Sequence, residues 1–340
     1  MVKSMFAAVA GLRAHQSKMD VIGNNIANVN TYGYKAARAT FRDVFYATTS
    51  GAGNPGTVYG GTNPIQLGYG SKLGSVDSLM TGGGAAATDN PMDCMIVGNG
   101  FFLVGRKPEE TAGEYDTIAV EDGLQDDGSA AEDETAGKVD PTEVSALNLT
   151  RVGIFNFDGD GNLVDSNGRM VYGFPSEYKE DASDTTKSGY SIQTDQLTAI
   201  RLPNANKKDS TGTGTDKDEY EPMSLSGIAI GKDGTITGTN DAGESILIGK
   251  IALANVPNPN ALERGENSYY TAKGNTGTIT VNPSGQNSTG TMEAGYLEMS
   301  NVDLSKEFTD LITTERGFQA NTRIITVTDE MLQDLVNMKR

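Results

Sequence analysis

Apolar residues recur every seven positions at both ends of the chain. Met5, Leu12, Met19 and Ile26 make one column, flanked by Val9 and Ile22. Leu304, Leu311, Phe318, Ile325 and Leu332 make the other, widened by Phe308, Ile312, Leu335 and Met338. Sustained sevens predict two helices with narrow apolar seams, packed as in coiled coils. The first is expected to stop between Asn28 and Gly33, where the sequence turns to Asn, Thr and Gly. The second is expected from about Val302 to Met338, with Ser300, Asn301 or Asp303 as its cap. At 1.5 Å per residue the two would measure roughly 40 and 50 Å. Gln16 and Gly23 interrupt one seam; Glu315, Thr322 and Asp329 interrupt the other. A helix with a thin, broken seam is weak alone and needs neighbours. An ordinary intramolecular pair is the plain reading. Long helices at the two ends of a β-like chain point instead to partners that are other copies.

Between them the chain reads as β-structure. Short apolar runs at Asp93 to Val104, Leu149 to Phe174 and Ile228 to Leu253 are separated by Gly and Asn turns, and Lys232-Asp233-Gly234 is a hairpin signal. The expected fold is mixed α and β, with paired terminal helices flanking a central β-rich domain. Residues 1–30 and 302–340 would form the helical part, and 31–75 an extended Gly-rich linker. Residues 76–301 would form the β-rich part, with polar excursions near 106–146 and 204–222.

Charge narrows the partners. The net charge is -18 over 340 residues, which disfavours nucleic acid and anionic lipid. From Glu109 to Glu143 there are thirteen acids and one base, Lys138, as expected of a solvated loop. No run approaches the ~20 apolar residues of a membrane span. Residues Met1 to Leu12 faintly resemble a secretory signal, but the run breaks at Gly11 and Arg13 while the helical spacing continues. Export without a cleaved signal is the expectation.

Chemistry is sparse. One cysteine, Cys94, excludes an internal disulfide, and one histidine, His15, leaves no triad or zinc cluster. Asp158-Gly159-Asp160-Gly161-Asn162 imitates the start of a calcium loop, but Leu163 and Arg169 stand where an EF-hand needs Gly and Glu. A β-turn is the better reading. No catalytic residue, cofactor or metal ligand is assigned.

The segment Asp20-Val21-Ile22-Gly23-Asn24-Asn25-Ile26-Ala27-Asn28-Val29-Asn30-Thr31-Tyr32-Gly33-Tyr34-Lys35 resembles the N-terminal signature of flagellar rod and hook proteins. Its matching positions include Asn24, Asn25, Ala27, Asn28, Thr31 and Gly33. At the other end, Ser300, Asn301, Val302 and Asp303 resemble the family's entry to its last helix, and Thr328 to Asn337 its closing motif. Asp303-Leu304-Ser305-Lys306-Glu307-Phe308 and Arg316-Gly317-Phe318-Gln319 look more like the hook than the distal rod. The resemblance implies a non-enzymatic structural subunit of the bacterial flagellum, the hook, which polymerises into a curved tube that carries torque from rod to filament. The alternative within the family is a distal or other basal-body rod protein. A secreted acidic β-rich surface protein is a third, different class. The implied partners are further copies in a helical tube, the distal rod, the hook cap, hook–filament junction proteins and the type III export apparatus. The two apolar columns, together with Phe308, would be the polymerisation seams.

Overall fold

The computed structural model describes residues 2–54, 60–108, 110–111, 114–115, 118–121, 138–139, 147–179, 189–194, 196–203, 222–240, 243 and 245–338. Most of both polar excursions lies outside these residues. The chain divides into two compact units. Unit 1 holds Met1–Asn30, Lys35–Thr81 and Asn301–Arg340; unit 2 holds Thr31–Tyr34 and Gly82–Ser300.

Unit 1 is built on two long helices, α1 (Val2–Ala27) and α2 (Leu304–Asn337). Helix α1 stops where Asn28 folds back, its Nδ2 donating to the Asn24 carbonyl and to Asn24 Oδ1, both at 2.9 Å. Of the three expected caps for α2, Asp303 is the one used. Its carboxylate accepts from the amides of Ser305 (2.9 Å) and Lys306 (3.3 Å), at the helix end where negative charge is favoured. The helices pack antiparallel, with Gly11 against Asn321, His15 against Gly317 and Lys18 beside Asp310.

Residues 31–75, expected as an extended linker, are largely strand. β1 (Ala37–Asp43) pairs with β4 (Ser71–Ser78), and β2 (Tyr46–Ser50) with β3 (Ile65–Gly68), both antiparallel. The Gly, Asn and Pro residues that suggested a linker lie mainly between β2 and β3 in the sequence. The β-formers Phe41, Tyr46, Ile65, Leu67 and Val76 form the ribbons themselves. α1 packs on β1 and β4. Among the described residues no helix is long and apolar enough to cross a membrane.

Unit 2 is an antiparallel β-domain organised by two long strands, Met170–Lys179 and Ser245–Asn255. They pair with each other through Gly173 and Ile251, and each changes partners along its length. One sheet thereby curves around a core of Phe102, Val104, Phe155, Leu163, Val171, Ile236, Ile251 and Leu253. The expected hairpin is present: Leu225–Ile230 and Thr235–Asn240 pair across the Lys232-Asp233-Gly234 turn, with Gly234 at φ +81°. The calcium-like segment is a turn whose Asp158 carboxylate accepts from Asp160 N–H, Asn162 N–H and Asn162 Nδ2.

The acidic excursion is bounded by sheet. Val120 pairs with Val139 and Glu121 with Lys138. A deletion from 109 to 139 would therefore cut strands, whereas residues 122–137 begin and end on directly opposed positions. Their one large apolar residue is Leu124. Replacing 122–137 by Asn-Gly should close a two-residue hairpin and change stability by less than about 1 kcal/mol in urea unfolding. A loss of about 3 kcal/mol or more would mean that the segment packs on the sheet.

Candidate functional site

The helix pair of unit 1 has a seam that is half apolar and half polar. On α2 the column Leu311, Phe318, Ile325 and Leu332 is half-buried. It alternates, at spacings of four and three, with Glu307, Thr314, Asn321 and Thr328. The two threonines are buried, and their hydroxyls donate to the carbonyls of Asp310 and Ile324, each at 2.6 Å. A threonine that bonds its own helix in this way presents only its methyl to the partner.

On α1 the buried positions are Ala8, Gly11, Ala14, Ile22 and Asn25. The column Met5, Leu12, Met19 and Ile26 flanks them, half-buried throughout. Small residues and side chains interlock across the seam. A Cβ on Gly11 would come within 2.8 Å of Asn321 Nδ2, and one on Gly317 within 2.7 Å of His15 Cε1. Each helix thus leaves out one side chain where the other inserts one, and this fixes the register. Gly23, by contrast, faces open space, and Gln16 is exposed. The seam's polar breaks are therefore Lys18, Asn25, Glu307 and Asn321. Burial pushes the Glu307 carboxyl up, while a hydrogen bond from Asn25 partly offsets this.

Outside the seam, α2 exposes large apolar side chains at helical spacing. Leu304, Phe308 and Ile312 stand four apart; Ile324, Val327, Met331, Leu335 and Met338 follow at threes and fours. Phe6 and Val9 do the same on α1. Phe308 is 50% exposed; helical spacing puts the Leu304 group and the Ile324 group on separate flanks of α2, and exposed apolar clusters of this kind mark protein–protein contacts.

The signature residues do separate work. Asn25 is 1% exposed, and its side chain pairs with both backbone groups of Ala37: Nδ2 donates to the carbonyl at 2.8 Å, and Oδ1 accepts the N–H at 2.9 Å. Asn301 does the same at the other end. Its Oδ1 accepts from Ala36 N–H at 2.7 Å, and its Nδ2 donates to the carbonyls of Leu79 (2.8 Å) and Thr81 (3.1 Å). Lys35, buried beside them, donates to the Thr81 carbonyl at 2.9 Å. The end of α1, the approach to α2 and the β1–β4 ribbon are tied in one polar node. Asn24 and Asn28 cap α1 instead, while Ala27 and Thr31 are exposed and Ser300 and Val302 half-buried.

Unit 2 has a node of its own. Gly33, at φ +68°, donates to the Glu298 carbonyl at 2.8 Å, and a Cβ there would meet Val152 Cγ2 at 2.9 Å. The Glu298 side chain pairs with Arg151 at 3.4 Å, with the two side chains only 1% and 4% exposed. Glu298 also accepts from Gly83 N–H at 3.0 Å, and Arg151 donates to the Gly98 carbonyl at 2.8 Å. An ion pair this deep is tolerated only when such further bonds satisfy it. Sequence reasoning singled out neither residue, nor His15, Gly11, Gly317 or Lys35, as a contact. Lone charges inside otherwise apolar runs were the available signal. Burial pushes the Cys94 thiol up to about 12, which suits a structural thiol. Among the described residues no group of His, Cys, Asp and Glu could hold a metal.

Two family models match the chain, one for flagella basal body rod proteins over residues 5–35, the other for the C-terminal region of flagellar basal body rod FlgEFG proteins over residues 293–338. The flagellar basal-body rod protein FlgG of Bacillus subtilis (strain 168) is 32% identical over 341 residues, with all of both chains covered. The FlgG rod protein of Buchnera aphidicola subsp. Schizaphis graminum is 30% identical, covering 98% of this chain and 99% of its own. The flagellar hook protein FlgE of Borreliella burgdorferi is 29% identical, again with all of both chains covered, over an alignment of 448 residues.

The two asparagines each donate and accept at once, which an aspartate cannot. Asn301→Asp should replace donors facing carbonyls by acceptors and cost about 3 kcal/mol in urea unfolding of unit 1. Asn24→Asp keeps the acceptor that Asn28 uses and should cost less than about 1 kcal/mol. Equal losses from the two changes would remove the node from its structural role.

Proposed function

Because the chain belongs to the family of flagellar rod and hook axial proteins, which are structural rather than catalytic, we propose that it is a subunit of the flagellar axial tube, held to further copies through the exposed faces of its terminal helices. The observation that carries this reading is the run of large apolar residues on α2 outside the seam, from Leu304 and Phe308 to Met338. The flanking columns Met5, Leu12, Met19, Ile26, Leu311, Phe318, Ile325 and Leu332 are half-buried in a single copy. They keep area for a neighbour, and several weak equivalent contacts of this kind suit a polymer under repeated load.

Within the family the distal rod is the reading we favour, in place of the hook suggested by the Leu304 to Phe308 segment. Rod relatives align end to end with this chain over 341 and 339 residues. The hook relatives need alignments of 448 and 463 residues. The extra length of those hooks has no counterpart here. The hook stays as the second reading on the strength of that same Asp303 to Phe308 segment. The neighbours proposed are other axial proteins of rod and hook, and the location is the flagellum, reached through its export apparatus. Electron microscopy of the purified polymer separates the two readings, since a straight tube supports the rod and a curved one the hook.

Phe308 tests assembly without touching the fold. Phe308→Glu should change the stability of the unassembled chain by less than about 0.5 kcal/mol, because the side chain is on the surface. It should abolish polymer in sedimentation, because a charge buried at a repeated contact costs several kcal/mol. Normal polymer from this variant would rule out the Leu304, Phe308 and Ile312 flank of α2 as the contact.

A further inference from the structure

His15 is the chain's one histidine, and it sits in the helix seam. Its ring lies against Gly317 of α2, where a Cβ would come 2.7 Å from Cε1 and 2.8 Å from Nε2. The Phe41 ring of β1 also meets it edge to face at 5.6 Å. Nδ1 is buried with no hydrogen-bond partner. The neutral ring fits this slot as an apolar wedge, whereas a protonated ring would bring a second donor and a full charge into it.

The charges around the slot do not favour the cation. On α1 the nearest is the Lys18 ammonium, which is itself paired with Asp310 of α2 at 3.7 Å. On α2, Glu315 and Arg316 are exposed and joined through Gln319. On β1, Arg42 and Asp43 are exposed and stand opposite Lys72 and Ser71 of β4. Burial and then Lys18 hold the imidazole below its ordinary value of 6.5.

We propose that His15 is a proton-operated latch of the helix pair: protonation of its imidazole, packed against Gly317 and Phe41 beside Lys18, opens the α1–α2 seam and so loosens copies held on the outer faces of those helices. The sign follows from linkage. A histidine whose folded value is lowered contributes its full stability above about pH 6.5 and loses it as pH falls toward the folded value. Glu307 works the other way. Its folded value is raised, so acid favours the pair through that residue, and an acid-driven opening cannot be assigned to it. The opening of the pair stands on the seam alone, and the release of copies rests on the assembly reading above.

The test uses the full chain with proton NMR of its one histidine and hydrogen exchange of α1 and α2, from about pH 8 to about pH 5. The imidazole should titrate below 6.5. Helix opening should rise by up to about ten-fold per pH unit below that point, with unit 2 unaffected. His15→Gln should flatten this response. Lys18→Gln, which keeps the ring, should make it shallower. An imidazole titrating at or above 6.5, or a His15→Gln chain that opens in acid like the wild type, overturns the latch. Sedimentation across the same range reads the second step, and polymer that holds at about pH 5 with its helices still protected also overturns it. Acid opening of the helices in a chain that sediments as monomer at every pH would fail the assembly reading and leave the latch standing.

Discussion

A side-chain amide has the same donor and acceptor pair as a peptide group, and unit 1 depends on that equivalence at two places. Asn25 pairs with both groups of Ala37, and Asn301 spans Ala36 and the Leu79 to Thr81 stretch. Ala36 and Ala37 stand where the chain passes from α1 into β1, and their backbone groups need partners there. The two asparagines supply the missing partners, so the chain changes from helix to ribbon without burying an unsatisfied group. The end of α1 and the approach to α2 are both held to the β1–β4 ribbon there.

The seam between the helices is correspondingly modest. Threonines that bond inward, two glycines and several charged or amide side chains leave little continuous apolar contact. Such an interface specifies register more than it contributes stability, since each glycine admits one particular side chain from across the seam. Much of the apolar area that a tighter coiled coil would use internally lies on the outside, at Phe308, Ile324, Val327 and Met331. A subunit of a polymer needs this division, with enough internal order to present a defined surface and enough residual apolar area to make assembly favourable.

Unit 2 shows the opposite economy. Its core is apolar, and its two long strands exchange partners along their lengths. Among its buried polar groups, Arg151 and Glu298 pair with each other and hold Gly83 and the loop near Gly98. Val120 and Glu121 stand opposite Val139 and Lys138, so residues 122–137 connect directly opposed strand positions.

Spacing of seven determined both helices from sequence alone, because helical periodicity survives whatever the helix packs against. The turn at Lys232-Asp233-Gly234 was equally legible, since a left-handed glycine is a local requirement. The signature made Asn25 and Asn301 visible, though not their role, which depends on strand backbone at Ala36, Ala37 and Leu79. The β1–β4 ribbons were hidden because Gly, Asn and Pro between the strands dominate the composition of that stretch, and pairing is non-local. The tertiary structure alone decided which seven-spaced column faces inward. Gly11 and Gly317 take part only because His15 and Asn321 arrive opposite them from the far end of the chain, and no local pattern records that meeting.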